Sequence, residues 1–208
     1  LPELDRLWGV PQRADYHPEV DTGVHTMLVL GQAVQQQAPL AVRWACLVHD
    51  LGKGTTPADV LPRHIGHEQR GAKLVRQVGE RWRVPKECSE LAELVAAEHG
   101  NIHRSLDLSP AAVLRLLQRC DALRKPERFA QALWACECDA RGRWGFEAAA
   151  YPQRGRLEQA LAVALGVATG PIAAQAVAAG KQGAAIGQAV DAVRVQALGQ
   201  WLKTGDDS

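Results

Sequence analysis

The chain is 208 residues long, 47% apolar and 23% charged, and its 24 Lys and Arg against 23 Asp and Glu leave a formal net charge of +1. That length supports one or two domains with a real core, and the composition excludes a globally disordered polymer. The charge balance excludes a polyanion binder built on gross basicity and leaves only a local patch open.

The opening run LPELDRLWGVPQ has neither a basic n-region nor an apolar core, so no secretory signal is read there. The first residue is not Met, and the chain is expected to be a fragment of a longer protein. A first helix is expected over 20–37 and a second over 39–50, with Trp44, Leu47 and Val48 on one side. A loop rich in Gly, Thr and Pro follows over 51–66. A third helix carries Leu74, Val75 and Val78, and a fourth carries Leu91, Leu94 and Val95. A fifth carries Val113, Leu114, Leu117 and Cys120, and a sixth Phe129, Leu133 and Cys136. Pro39, Pro85, Pro110, Pro126 and Pro171 mark helix starts, because the first turn does not need the missing N–H. Ser109, just before Pro110, is expected to act as an N-cap. No alternating pattern announces a strand. With two Phe, two Tyr and abundant Ala, the fold class is all-α.

Past 142–155 histidine disappears, and fourteen alanines lie between Ala160 and Ala197, so a boundary is placed in that stretch. The last helix shows Ile186, Val190, Val193, Ala197 and Trp201 at helical spacing. Residues 159–180 carry no charge and are numerous enough to cross a bilayer. Their Ala-rich composition and the break at Ala168-Thr169-Gly170-Pro171 read instead as two helices joined by a turn, and no membrane partner is expected. The five cysteines form no framework spacing and read as buried free thiols of a reducing, cytoplasmic compartment. Cys136 and Cys138, two apart on a helix, point to different sides and make a poor metal pair.

All seven histidines lie in the first half of the chain. His49-Asp50 is followed by Leu51-Gly52-Lys53, and glycines at 52 and 54 allow the helix to end there. An imidazole and a carboxylate at such an end can reach one ion. His25 sits on the preceding helix. Asp121 follows Leu117 by four and Leu114 by seven, which projects it onto the apolar face of the fifth helix. A buried carboxylate is costly unless paired or bound to a cation. An arginine partner in the core is one solution; a divalent metal shared with His25, His49 and Asp50 is the better one.

The order His25, His49-Asp50, Asp121 on an all-helical chain, with the string HDLGKG, resembles the HD superfamily of metal-dependent phosphohydrolases over roughly 16–140. YHPEVDTGVHTMLVL, LPRHIGHEQRGAKLV and the closing GKQGAAIGQAVDAVRVQAL make the chain similar, over nearly its whole length, to the HD domain of bacterial multifunctional CCA-adding enzymes, which are tRNA nucleotidyltransferases. The resemblance implies an HD-domain helical bundle at 1–145 and a C-terminal helical extension at 146–208. It implies 2′,3′-cyclic phosphodiesterase, 2′-nucleotidase and phosphatase activities at nucleotide or RNA 3′ ends, with Ni²⁺ the favoured metal and Mn²⁺, Co²⁺ or Mg²⁺ as other choices. It also implies tRNA as a partner of the full-length protein and an N-terminal nucleotidyltransferase domain in cis. The Gly-Ser and paired-Asp motifs of that domain are absent from this chain, so CCA addition is not expected from it alone.

The chemistry agrees. A His/His/Asp/Asp set leaves open positions on a metal for water and a phosphate oxygen, and imidazole with carboxylate suits Ni, Co, Mn, Fe or Zn better than Ca. Lys53 is a candidate phosphate clamp, with a solvated loop lysine as the other reading. His67 aligns with Gly71, Leu74 and Val78, and His99 with Leu91 and Val95, so both face inward. In binuclear relatives such histidines hold a second metal; the preferred reading here is acid and substrate clamp around one ion. His103 is a weaker substrate-binding candidate, His64 a loop residue, and His17 is read as surface. A tRNA-binding module whose motif is only structural, and a nucleotidase acting on free nucleotides, are the alternative functions.

Overall fold

The computed structural model describes residues 1–205. It contains α1 (Pro2–Asp5), α2 (Thr22–Gln35), α3 (Leu40–Val48), α4 (His67–Trp82), α5 (Lys86–His103), α6 (Pro110–Arg119), α7 (Pro126–Arg141), α8 (Pro152–Leu165), α9 (Thr169–Ala178) and α10 (Ala184–Gly205). Single 3₁₀ turns occupy Leu51–Thr55 and Ser105–Asp107. Among the described residues the only β pairing is one bridge between Pro11 and Asp21. The fold is all-α, as composition and periodicity predict. Two compact units interleave along the chain: Leu1–His103 with Arg128–Arg154, and Arg104–Glu127 with the segment from Gly155 onward. One limit, between Arg154 and Gly155, falls in the 142–155 stretch where the composition shifts; in addition α6 clusters with the tail, while α7, from Arg128, clusters with the first unit.

In the first unit α3 packs on α2 and α5, and α4 lies on α5 and on the turn Leu51–Thr55. Val29, Val42, Val75, Leu91, Phe129 and Leu133 are fully buried at its centre. Each such side chain contributes on the order of 1.5–3 kcal/mol of apolar burial. The Asp21 side chain caps α2 by accepting the Val24 N–H at 2.9 Å. Pro39 precedes α3 and Pro126 opens α7, as their restricted φ favours.

In the second unit α10 packs on α6 and α9. Ser109 caps α6, its hydroxyl accepting the Ala112 N–H at 3.3 Å. The uncharged stretch is broken between α8 and α9, which are bent by 49°, and no single helix among the described residues is long and apolar enough to cross a membrane.

The end of α6 corrects the projection made for Asp121. The helix stops at Arg119 with Cys120 as its C-cap, and Asp121 turns to φ +54. The Asp121 N–H then donates to Gln118 O at 2.9 Å and the Ala122 N–H to Leu117 O at 2.8 Å. This is the paired-bond arrangement that closes a helix through a left-handed residue. Past that reversal the 3.6 period no longer applies. Ala122 goes inward, fully buried, while the Asp121 carboxylate takes the Arg124 guanidinium at 2.6 and 3.0 Å.

Candidate metal centre

The centre lies within the first unit. His49 is the C-cap of α3, and Asp50 leaves the helix at φ −104, ψ 13, so the two side chains diverge to serve two neighbouring places. A Cβ at Gly52 would overlap the His67 carbonyl and the Gly71 amide. Glycine therefore lets the turn after Asp50 press on the first turn of α4 and brings His67 beside Asp50. A Cβ at Gly142 would overlap the Val29 backbone in the same way. The close approach seats the end of α7 on α2 and sets Asp139 against His25.

Two groups of donors form the heart of the site, His25, His49 and Asp139, and Asp50, His67 and His99, each with its ligand atoms within 4.8 Å of one another; His17, Glu19 and His25 form a third beside them. In the first, His25 Nε2 lies 3.0 Å from Asp139 Oδ1, and His49 Nε2 lies 3.6 Å from Asp139 Oδ2. In the second, His67 Nε2 and His99 Nε2 lie 3.5 and 3.6 Å from Asp50 Oδ1. His49 Nε2 and Asp50 Oδ2, 3.2 Å apart, join the groups. Donors about 2.1 Å from a shared ion stand about 3.0–3.4 Å from each other, so these spacings suit first-row divalent metals.

The tautomers point the same way. The Nδ1–H groups of His49, His67 and His99 donate to the carbonyls of Cys46, His64 and Val95 at 2.8, 2.8 and 2.9 Å. A carbonyl only accepts, so each Nδ1 carries a proton, and it is Nε2 that offers a lone pair to a metal once the ring is neutral. His67 Nε2 and His99 Nε2 then face each other at 3.2 Å, lone pair to lone pair, a contact that needs a cation or a proton between. His49 Nε2 and Asp50 Oδ1 are buried with no hydrogen-bond partner. Orphaned buried acceptors are expensive, and a bound cation would satisfy both.

The electrostatics show the same demand. Burial opposes charge on His49, but Asp50 and Asp139 overcome it and hold its pKa up at about 10. Burial likewise opposes charge on His25, yet Asp139 and Glu19 raise its pKa. Against the cost of burial, His49 with Lys53 holds Asp50, and His49 with His103 holds Asp139, well below the usual carboxylate range. Burial pushes His99 down to about 3, so it stays a neutral donor.

Of the residues singled out from sequence, His25, His49, Asp50, His67 and His99 come together here. Asp121 does not: it belongs to the other unit and its carboxylate is bound to Arg124. The second aspartate beside the histidines is Asp139. The sequence signal for it existed, since Phe129, Leu133, Cys136 and Asp139 recur at spacings of four, three and three on α7, all buried. Lys53 is no solvated loop residue: it is 7% exposed, with Nζ 2.7 Å from Asp50 Oδ2 and donating to Gln12 Oε1 at 2.6 Å. His103 Nε2 lies 2.8 Å from Asp139 Oδ2, and its Nδ1 lies 2.8 Å from the Tyr151 hydroxyl. His64 bridges Thr56 and the Pro11 carbonyl.

His17 is not a surface residue. Its ring meets His25 at 4.6 Å between centroids, and burial lowers its pKa to about 4. Glu19, passed over in the sequence, is buried and places Oε1 2.9 Å from His25 Nδ1. Glu19 is only six residues before His25, but it lies in the irregular segment ahead of α2, where no helical period signals the contact.

The family model described as HD domain matches residues 22–125. A curated relative named Multifunctional CCA protein, from Polaromonas naphthalenivorans, is 66% identical over 96% of this chain and 47% of its own length. Relatives of the same name from Acidovorax sp. strain JS42 and Cupriavidus necator are 63% and 65% identical over 97% and 95% of this chain and 48% and 47% of their own. The chain thus spans about half the length of the curated relatives it matches. No solved structure matches it.

Proposed function

The chain belongs to the HD-domain family, and on that premise we propose that it is a metal-dependent phosphohydrolase acting on 2′,3′-cyclic phosphates and 2′-phosphates at the ends of nucleotides and RNA. The observation that carries the reading is the convergence of buried, unsatisfied His49 Nε2 and Asp50 Oδ1 with two sets of imidazole and carboxylate donors. His25, His49, Asp50 and Asp139 would hold one ion, and His67 and His99 with Asp50 a second. Imidazole with carboxylate suits Ni²⁺, Co²⁺ or Mn²⁺ better than Ca²⁺, and we name Ni²⁺ first. A bound divalent ion supplies water of lowered pKa and polarises the phosphate.

The chain's own groups supply the rest. Lys53, fixed between Asp50 and Gln12, sets a positive charge beside the donor cluster, where phosphate charge needs balancing. His103 is partly exposed, and its ring is oriented by Asp139 on one side and the Tyr151 hydroxyl on the other. In this reading it serves as the proton donor to the leaving oxygen. The name and length of the relatives support a further reading: the phosphohydrolase is one half of a cytoplasmic protein that matures tRNA, joined in cis to an N-terminal nucleotidyltransferase half. Five buried cysteine thiols fit a reducing compartment.

The test is phosphate release from 2′-AMP and ring opening of 2′,3′-cyclic AMP with Ni²⁺, Co²⁺, Mn²⁺ or Mg²⁺. Both reactions should require an added ion and vanish in His49→Ala while the helical circular dichroism persists. If the folded protein binds these ions but turns over neither substrate, the phosphohydrolase reading fails and a tRNA-binding module takes its place.

A further inference from the structure

The loops 12–21 and 142–150 meet on the His25 side of the centre and hold aromatic side chains that the core does not use. Tyr16 is 57% exposed and Phe146 38%, in a chain with two residues of each kind. One arginine links them: Arg143 donates through Nη1 to the Tyr16 carbonyl at 3.2 Å, and its guanidinium lies 4.5 Å from the centre of the Phe146 ring. Its Nε is fixed on the Ala140 carbonyl at 2.8 Å, so the planar cation is held in place. No carboxylate pairs with Arg143 among the described residues, whereas Arg13, 4.9 Å over the Tyr16 ring, is engaged by Asp15.

Both loops run directly into the centre. Tyr16 precedes His17, whose ring packs on His25. Arg143 follows Gly142, whose carbonyl lies 3.2 Å from His25 Nδ1. Successive Cα atoms are about 3.8 Å apart, so each aromatic loop stands within one or a few residues of a group touching a candidate ligand. Exposed aromatic faces with a fixed, unneutralised guanidinium are what a protein uses to stack bases and meet the attached phosphate.

We propose that Tyr16 and Phe146, joined through Arg143, form a stacking platform for the nucleobase of the nucleotide whose phosphoester is cleaved at the His/Asp centre. The proposal rests on the phosphohydrolase reading and adds to it a preference for nucleotides over base-free phosphoesters. Stacking tolerates any base, so the platform favours base-bearing substrates without choosing sharply among the four.

Two measurements separate this proposal from the reading beneath it. In the first, binding of 2-aminopurine riboside 2′-phosphate is followed by its fluorescence, which needs no turnover. The wild-type chain should quench it, Phe146→Ala and Tyr16→Ala should weaken binding roughly tenfold, in the range of one stacked base, and Phe146→Trp should restore it. In the second, the same alanine variants should raise KM for 2′,3′-cyclic AMP by a similar factor and leave turnover of base-free ribose 2′,3′-cyclic phosphate unchanged. Equal binding by wild type and both variants, or equal loss on the two substrates, overturns the platform. Absence of hydrolysis with normal quenching overturns only the phosphohydrolase reading.

Discussion

The ends of α6 and α7 carry one aspartate each, and the two fare differently. Asp121 and Asp139 both extend an apolar helical face in the sequence. At Asp139 the helix continues, to Arg141, and the carboxylate stays on the face that meets His25, His49 and His103. At Asp121 the helix has ended and the left-handed turn has taken the side chain off that face to Arg124. A helical projection is valid only as far as the hydrogen-bond ladder runs. One residue past the cap, it assigns a residue to the wrong environment.

The sharpest break of this comparison is to exchange the roles. Asp139→Ala should lower divalent metal affinity by more than about 10²-fold, beyond the 10–100-fold typical of a group that merely supports a ligand. It should also destabilise the metal-free chain by roughly 3–5 kcal/mol, since it strips the counter-charge from buried imidazoles. Calorimetric titration with Mn²⁺ and urea unfolding check the two parts. Normal metal affinity in Asp139→Ala would return the ligand role to some other carboxylate.

Next in size is Glu19. It meets the Nδ1 edge of His25, whose Nε2 faces Asp139, so Glu19→Gln should cost about 10–100-fold in metal affinity, as loss of an orienting carboxylate does. Titration with Co²⁺, followed by its visible absorption, would show weaker binding with the same final spectrum. A changed spectrum would mean that Glu19 is itself a ligand.

The third test sets the raised histidines against the lowered ones. His25 and His49 have pKa values raised by folding, so their stabilising contribution is full below 6.5 and is lost as pH rises through the raised values, which for His49 is about 10. His17, His64 and His99 are lowered to about 4, 4 and 3, so their contribution is full above 6.5 and is lost as pH falls towards 4. The metal-free chain should therefore be most stable near pH 6.5. Saturating Mn²⁺ should remove the alkaline decline, because the ion replaces the protons on His25 and His49. Urea midpoints at pH 5, 6.5 and 9, with and without the ion, decide it, and an alkaline decline that survives the metal would refute the substitution of ion for proton.

The smallest effect belongs to Asp121. Asp121→Asn should change metal affinity by no more than about twofold, the size of an ordinary surface substitution. Asp121→Gly should be neutral or stabilising by up to about 1 kcal/mol, since glycine adopts φ > 0 without strain. A large loss of metal affinity in either variant would restore Asp121 to the centre.

By itself the sequence determined the helices, because apolar spacing and proline punctuation are local signals. It set α2 and α3 within a few residues of their observed limits, and placed His49-Asp50 at a helix end because glycines follow at once. It also placed His67 and His99 on inward faces, where both stand beside Asp50. Only the tertiary structure decided which second aspartate joins the histidines, because that depends on where α6 stops and on the contact of Gly142 with Val29. Only it buried Lys53 against Asp50 and drew His17 and Glu19 onto His25: these partners are three to eight residues apart, but the turns between them follow no helical period that the sequence could show. Each helix has its own spacing rule. The meeting of five of them around one cluster of charges has none, and is fixed by close backbone approaches that a glycine permits but does not announce.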